Sequence, residues 1–424
     1  MPTAILERAC PCAVRRAMLT SCRFQPHEWD RRLETLFGGI MTTGGFQQQS
    51  QEQLWFGIGV VGPSRVGKTS LIVSLIEDAP RILAGKTAVL RVHDQHTAGA
   101  VDRRLNELRG AVRAGSFRKQ ALRSTERMTY YKLALETGIA GIAVYLNVLD
   151  FPGGWLSPEQ NSPRPEDKWQ ECREFISRST VLLVPVDSTV VMSATDPEHE
   201  RMVPELLKIA QVEQVAESWA TVRGAEPENR ALLLLVPMKC ESYFHDNGGS
   251  KDESGHLFKK VEKIYGRALD VVRANAPHAQ ILYCPLDTLG CVELTGAESW
   301  VPDGDGLQLS AEFAVRPPGE ISVKGAEEIL IAVCQNLAAV RHAGQQEKTR
   351  EWERRRDEIA EERSRPLTFR QRWRSVISGE RLEIIERGRF ATRQLGRARH
   401  QEAYFEQLLE DLALRPMGPR IREL

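Results

Sequence analysis

At 424 residues the chain exceeds the usual single-domain size, so one large domain with an appendage is expected. Hydrophobic residues make up 42% and charged residues 27%, with a formal net charge of zero: enough apolar sequence for a sizeable core, and no global charge of the kind that marks a nucleic-acid partner or a strongly charged membrane-surface protein. No apolar run approaches the ~20 residues of a membrane helix, and the eight cysteines show no zinc spacing, so no transmembrane segment, reduced thiols and a cytoplasmic location are expected.

Residues 1–53 are expected to form an irregular arm. Ala4-Ile-Leu is followed at once by Glu7 and Arg8, which is no signal-peptide core. Residues 1–40, rich in Arg and Cys and without periodicity, read as upstream sequence with Met41 as the native start; a short regulatory arm is the alternative.

From Leu54 strands and helices alternate. The strand Leu54 to Val61 runs through a Gly-rich turn into a helix from Thr69 to about Glu77, with Leu71, Ile72, Leu75 and Ile76 at helical spacing. A second helical stretch, Val101 to Val112, precedes a basic loop from Ser116 to Thr125. Two extended runs follow, Met128 to Leu135 and Ile139 to Leu149, the second ending in Asp150-Phe-Pro-Gly153. Beyond the Pro-rich loop Ser157 to Pro165 the order is a short helix at Trp169 to Ile176, a buried strand Val181 to Asp187 and a helix Glu200 to Val222. The strand Ala231 to Val236, a loop at Asn247 to Ser250, a helix His256 to Ala274, a strand Gln280 to Pro285 and a last core helix Gly325 to Val340 complete the pattern. Near-continuous apolar strands between helices predict an α/β fold: a mostly parallel sheet covered on both faces, with ligands bound beyond the carboxyl ends of the strands. The domain is expected over 54–343, with a charged helical tail over 344–424. In that tail Pro366 separates a charged helix (Glu347 to Arg363) from Leu367 to Ile377, and Gly379 and Gly388 interrupt the chain before a final helix, Gln401 to Leu414.

The motifs fall at those strand ends. Gly62-Pro-Ser64-Arg65-Val66-Gly67-Lys68-Thr69 matches G-x-x-x-x-G-K-[ST] between a strand and a helix. There backbone N–H groups from Gly62 to Ser70 converge on phosphates with the helix dipole behind them, Lys68 reaches the β- and γ-phosphates, and Thr69 gives a hydroxyl to Mg²⁺. Asp150 ends an apolar strand, where a carboxylate is costly unless something binds it, and is expected to hold Mg²⁺. Gly153 would offer an N–H to the γ-phosphate. Ser124 and Thr125 are candidates for a loop hydroxyl that closes on the metal. Met238-Lys239-Cys240-Glu241 occupies the place of a guanine-reading N/T-K-x-D: the carboxylate of Glu241 accepts from N1 and N2 of the base and the stem of Lys239 covers the ring. Thr288, in Asp287-Thr-Leu-Gly290, stands where a backbone N–H would meet the base oxygen. Gly154 and Trp155 follow where many signalling GTPases carry a Gln, so turnover is expected to be slow. Arg65 is either an internal positive charge for catalysis or a solvated loop side chain.

In this order the motifs resemble the translation-factor-related (TRAFAC) GTPase class. Ser64-Arg-Val-Gly-Lys-Thr69 with Asp150-Phe-Pro-Gly-Gly-Trp-Leu156 resembles bacterial YcjX-type P-loop proteins. The stretch from Leu105-Asn-Glu-Leu to Gly115-Ser-Phe is similar to the double-GTPase proteins of bacterial defence-type gene clusters. The resemblance covers roughly Leu54 to Val340. It implies a Ras-like domain and a role in stress or conflict signalling. The motifs themselves predict GTP/GDP and Mg²⁺ as ligands; the helical tail, which lies outside the resemblance, is expected to relay the nucleotide state to a protein effector or a co-encoded GTPase, with a homodimer as a further arrangement. An ATP-using P-loop enzyme and a nucleotide-holding scaffold that does not hydrolyse remain the alternatives. Trp352, Phe369, Trp373 and Ile377 are the candidate docking residues of the tail, the alternative being a solvated charged helix. Removal of residues 345–424 is then expected to spare nucleotide binding.

Overall fold

The structure, a computed structural model, describes residues 55–117, 124–137, 143–157, 164–226, 230–247, 251–295, 299–303, 306–366, 368, 370, 380–413 and 418–424. The expected arm and most of the expected helix Leu367 to Ile377, with Phe369, Trp373 and Ile377, lie outside the described residues.

In chain order, β1 (Trp55–Val60) leads into α1 (Lys68–Ile82), then β2 (Ala88–Val92), α2 (Gln95–Arg113), β3 (Ser116–Phe117), β4 (Thr129–Thr137) and β5 (Ala143–Asp150). Next come α3 (Glu166–Arg178), β6 (Val181–Asp187), α4 (Ser188–Ser193), α5 (Pro197–Leu206), α6 (Ile209–Gly224), β7 (Leu232–Met238), α7 (Ser254–Asn275) and β8 (Gln280–Tyr283). Four short strands, β9 (Val292–Leu294), β10 (Ser299–Asp303), β11 (Gly306–Ser310) and β12 (Phe313–Val315), precede α8 (Ala326–Ser364), α9 (Glu380–Ala413) and β13 (Arg422–Glu423).

The main sheet has the order β13-β8-β7-β6-β1-β5-β4-β2. Strands β8, β7, β6, β1 and β5 are mutually parallel; β13 and β4 run against them on either side, and β2, antiparallel to β4, returns to the direction of the core strands at the edge. This is the Ras-like, mostly parallel P-loop arrangement. Period-two alternation sends Leu232, Leu234 and Val236 of β7 to one face and Leu233 and Leu235 to the other. The first face is covered by α1, α8 and the end of α9, the second by α3, α6 and α7. Five described cysteines are buried, as expected of small core residues.

The expected helix Glu200 to Val222 is in fact the pair α5 and α6. Pro204 lies near the end of α5, and Lys208 enters the left-handed region (φ 53°), which ends one helix and starts the next. A larger correction concerns the tail. Helix α8 crosses the expected boundary at 343/344 without a break, and α9 runs unbroken through Gly388. The two helices are antiparallel partners: Gln345 donates to the carbonyl of Ala398 at 3.1 Å, and Trp352 meets Phe390 edge-on at 5.9 Å. The expected docking residue Trp352 is thereby engaged within the chain. Tyr404, Phe405, Leu408 and Leu412 of α9 enter the same hydrophobic cluster as α1, and β13 joins the sheet, so Leu54–Leu424 forms one compact unit. Periodicity did not reveal the short strands β2, β3 and β9 to β13, because strands of two to five residues carry too few alternations.

Candidate nucleotide-binding site

The phosphate loop begins where β1 ends, at the carboxyl edge of the sheet. Gly67 adopts φ 110°, and a Cβ there would lie 3.2 Å from the Sδ-bound methyl of Met238. The methionine in place of a polar residue at that strand end therefore packs against the loop, replacing a hydrogen bond with van der Waals contact. Val66 turns into the core beneath Gly62. Lys68 is buried, and its Nζ donates to the carbonyls of Gly62 (2.9 Å) and Pro63 (3.0 Å). Burial pulls its ammonium down to about 8, opposed by the charge of Asp150.

Three oxygens meet beside it. Thr69 Oγ1 donates to Asp150 Oδ2 at 2.6 Å and lies 2.7 Å from Thr125 Oγ1, which also donates to Asp150 Oδ2 at 3.3 Å. Of the two loop hydroxyls expected from sequence, the structure brings in Thr125; Ser124 is exposed at the pocket edge. Asp150 is 1% exposed, and its Oδ1 is buried without a hydrogen-bond partner. Burial raises its carboxyl above the ordinary range, against the pull of Lys68 and the two hydroxyls. One carboxylate with an unsatisfied oxygen and two hydroxyls is a hard donor set that leaves most coordination positions to phosphate and water, which suits Mg²⁺.

Gly153 sits directly on the phosphate loop. A Cβ there would fall 2.2 Å from the Ser64 nitrogen and 2.4 Å from the Pro63 carbonyl carbon, so only glycine fits. Trp155, two residues on, points away into the core with Phe151 and Trp169. Arg164 anchors that turn, donating to the Trp155 carbonyl at 3.1 Å and lying over the Trp169 ring at 5.1 Å.

A single pocket joins this end to the strand end after β7. Ser64, Arg65, Gly67, Lys68, Thr69 and Ser70 line one part of it; Lys239, Glu241 and Thr288 line the other. Lys239 takes a left-handed backbone (φ 58°), and its Nζ pairs with Asp187 at the end of β6. Glu241 is 6% exposed and accepts from the backbone N–H groups of Leu289 (3.4 Å) and Gly290 (3.3 Å). Burial, then the charge of Asp287, pushes its carboxyl up to about 8.

Arg65 is exposed at the pocket mouth in a left-handed conformation. The cation that reaches the phosphate end from inside is Arg104 on α2, which the sequence reading missed. Its side chain is 12% exposed, pairs with Glu107 at 2.9 Å and donates to Ser70 Oγ at 3.4 Å. Leu108 of the same helix, Val292 of β9 and Phe313 of β12 add apolar lining. No motif marks these residues; the fold brings them in from separate elements.

A Ras-like sheet carrying a phosphate loop, a hydroxyl–carboxylate cluster and a buried carboxylate at the third strand end defines a P-loop GTPase-type domain. The profile of the Double-GTPase 2 family matches residues 57–269, half of the chain, and the chain belongs to that family. The match speaks for the double-GTPase resemblance and leaves the YcjX-type one where the sequence put it. No curated protein matches the chain. Among solved structures, sup35 complexed with GDP is similar at 10% identity and a TM-score of 0.25, over 58% of this chain and 40% of that one. Methanosarcina barkeri Roco2 RocCORdC bound to GDP is similar at 12% identity and a TM-score of 0.21, over 55% of this chain and 43% of that one. The chain thus spans less than half the length of either. Similarity at this level leaves the reading of the site to its own residues.

Proposed function

We propose that the chain is a guanine-nucleotide switch that binds GTP and GDP with Mg²⁺ and hydrolyses GTP slowly. The observation that carries this reading is the single pocket with Lys68, Thr69 and Thr125 at one end, the two hydroxyls bonded to the half-satisfied Asp150 beneath them, and the buried carboxylate of Glu241 at the other. In this reading Lys68 exchanges its two loop carbonyls for phosphate oxygens, and its ammonium and the loop amides hold the triphosphate. Bound Mg²⁺ would be held by Thr69, Thr125 and Asp150 and would neutralise phosphate charge. Glu241, released from the amides of Leu289 and Gly290, accepts from N1 and N2 of guanine, and those amides become available to the base oxygen. Hydrolysis transfers the γ-phosphoryl group from the bridging oxygen of GDP to water. Arg104 and Lys68 are the cations placed to stabilise the charge that builds up on the leaving oxygen. With Trp155 facing the core, water positioning falls to the Gly153 backbone, which accounts for slow turnover.

Gly153 rests on the phosphate loop and Thr125 reaches Asp150, so both flanking segments would respond to a γ-phosphate. We assign that response to a protein effector or a co-encoded GTPase met through the α8–α9 pair, or to a second copy of this chain, in bacterial stress or conflict signalling. Among the described residues no helix is long and apolar enough to cross a membrane, and a cytoplasmic location is part of the proposal.

Displacement of a labelled guanosine diphosphate tests base choice. GTP is expected to displace it at far lower concentration than ATP, and Glu241→Ala is expected to erase most of that difference. Equal displacement by ATP in the unaltered chain would favour the ATP-using reading instead.

A further inference from the structure

The C-terminal seven residues reach the Asp287–Gly290 loop, whose amides hold Glu241, from outside every recognised motif. Strand β13 adds to the sheet beside β8, pairing Arg422 with Tyr283 and Glu423 with Leu282, and the Leu424 N–H donates to the Ile281 carbonyl at 3.0 Å. This fixes Arg420, whose side chain is 4% exposed. Its Nη2 donates to Asp287 Oδ2 at 2.7 Å, its Nε donates to Asp246 Oδ2 at 2.8 Å, and its guanidinium lies 4.3 Å from the Phe244 ring centre. Asp287 is fully buried; it opens the loop Asp287–Gly290 whose amides hold Glu241, and it also accepts from Asn247 at 3.1 Å.

Resting on the guanine reading above, we infer that Arg420 is a positioning residue for base recognition: by holding Asp287 it sets the Asp287–Gly290 loop and the carboxylate of Glu241 for guanine. The electrostatics run the same way. Burial and then the charge of Asp287 raise the carboxyl of Glu241; burial raises that of Asp287 in turn, against the pull of Arg420, the guanidinium that directly contacts it. The other groups facing the pair are Asp246, which Arg420 and Lys324 hold low, Arg316, whose Nη2 pairs with the Gly290 carbonyl, and the thiols of Cys240 and Cys291. Guanine needs Glu241 ionised. Its carboxyl is raised toward about 8, so a proton leaves as guanine binds, and affinity climbs with pH up to that value. For the nucleotide-free protein the sign is opposite: the proton that the folded state holds is stabilising at low pH, and that contribution fades as pH rises from the ordinary carboxylate range toward about 8. Without Arg420, Asp287 is a buried uncompensated charge, Glu241 holds its proton to higher pH, and the binding profile moves up.

The test is GDP affinity against pH in the full chain for the unaltered protein, Arg420→Gln, Arg420→Lys and the double variant Arg420→Gln/Asp287→Asn. Arg420→Gln is expected to weaken GDP about tenfold at neutral pH for each unit its profile moves upward, with Arg420→Lys intermediate. The double variant, with neither charge, is expected to recover most of the affinity and the original profile. Inorganic pyrophosphate binding, which uses only the phosphate loop, is expected to be equal in all four. A folded Arg420→Gln with unaltered affinity and profile overturns the inference. So does weakening that is uniform across pH and not rescued in the double variant. Should Arg420→Gln not fold, Arg420→Lys against the double variant decides it by the same criteria. If the unaltered chain binds pyrophosphate but not GDP, the guanine reading itself fails, and the Arg420 inference with it; that result is distinct from the first two.

Discussion

Arg104 separates two accounts of the chemistry at the scale of single side chains. Arg65 sits inside the phosphate-loop motif yet is exposed, whereas Arg104 arrives from α2 with 12% exposure and hydrogen-bonds Ser70, the residue after Thr69. A preorganised cation beside developing phosphate charge is worth roughly a hundredfold or more in rate. Multiple-turnover phosphate release from GTP is therefore expected to fall by about two orders of magnitude in Arg104→Ala, with GDP affinity little changed, and to change only slightly in Arg65→Ala. The reverse ranking would return the role to the loop arginine. Lys68, Thr69, Asp150 and Glu241 were legible in the sequence because each follows a strand in a fixed spacing, and chemistry at a strand end has a local signature. Arg104 and Arg420 have none. Each reaches the site from an element whose position is set by packing, so no local pattern could have marked them.

At the scale of elements, most of the strand–loop–helix units from β1 to β8 were readable from apolar runs, with boundaries within about six residues of the expected ones; β2, β3 and α4 were missed, and α5 and α6 were read as one helix. The tail was misread for a physical reason. Its charged faces dominate the composition, yet a thin apolar stripe (Tyr404, Phe405, Leu408 and Leu412) enters the core beside α1, where Tyr404 also donates to the Thr87 carbonyl at 3.1 Å. Truncating a buried Leu or Phe costs about 2–5 kcal/mol, against a whole-domain stability of about 5–15 kcal/mol. Deleting residues 345–424 removes four such side chains, strand β13 and the Arg420 contacts together. The truncated chain is therefore expected to lose its cooperative thermal transition, and with it nucleotide binding. A soluble truncated protein that melts like the full chain would show that the tail is an appendage after all.

For the molecule as a whole, the sheet sets the phosphate loop and the strand ends of β5 and β7 along one edge, and elements from elsewhere in the chain complete them. Helix α2 supplies Arg104 and the loop before β4 supplies Thr125 to the pocket, while the C-terminal segment supplies Arg420 to Asp287, behind the loop that holds Glu241. Membership in the Double-GTPase 2 family and this geometry lead to one expectation: a magnesium-dependent guanine-nucleotide site built on the phosphate loop. Calorimetric titration of the purified full chain with GTP, with and without Mg²⁺ and in parallel with Lys68→Ala, measures that most directly. The account predicts one saturable site that tightens with Mg²⁺ and is lost in the Lys68 variant. It is contradicted by an intact chain that takes up no guanine nucleotide in the presence of the metal, or by binding that survives the loss of Lys68 undiminished.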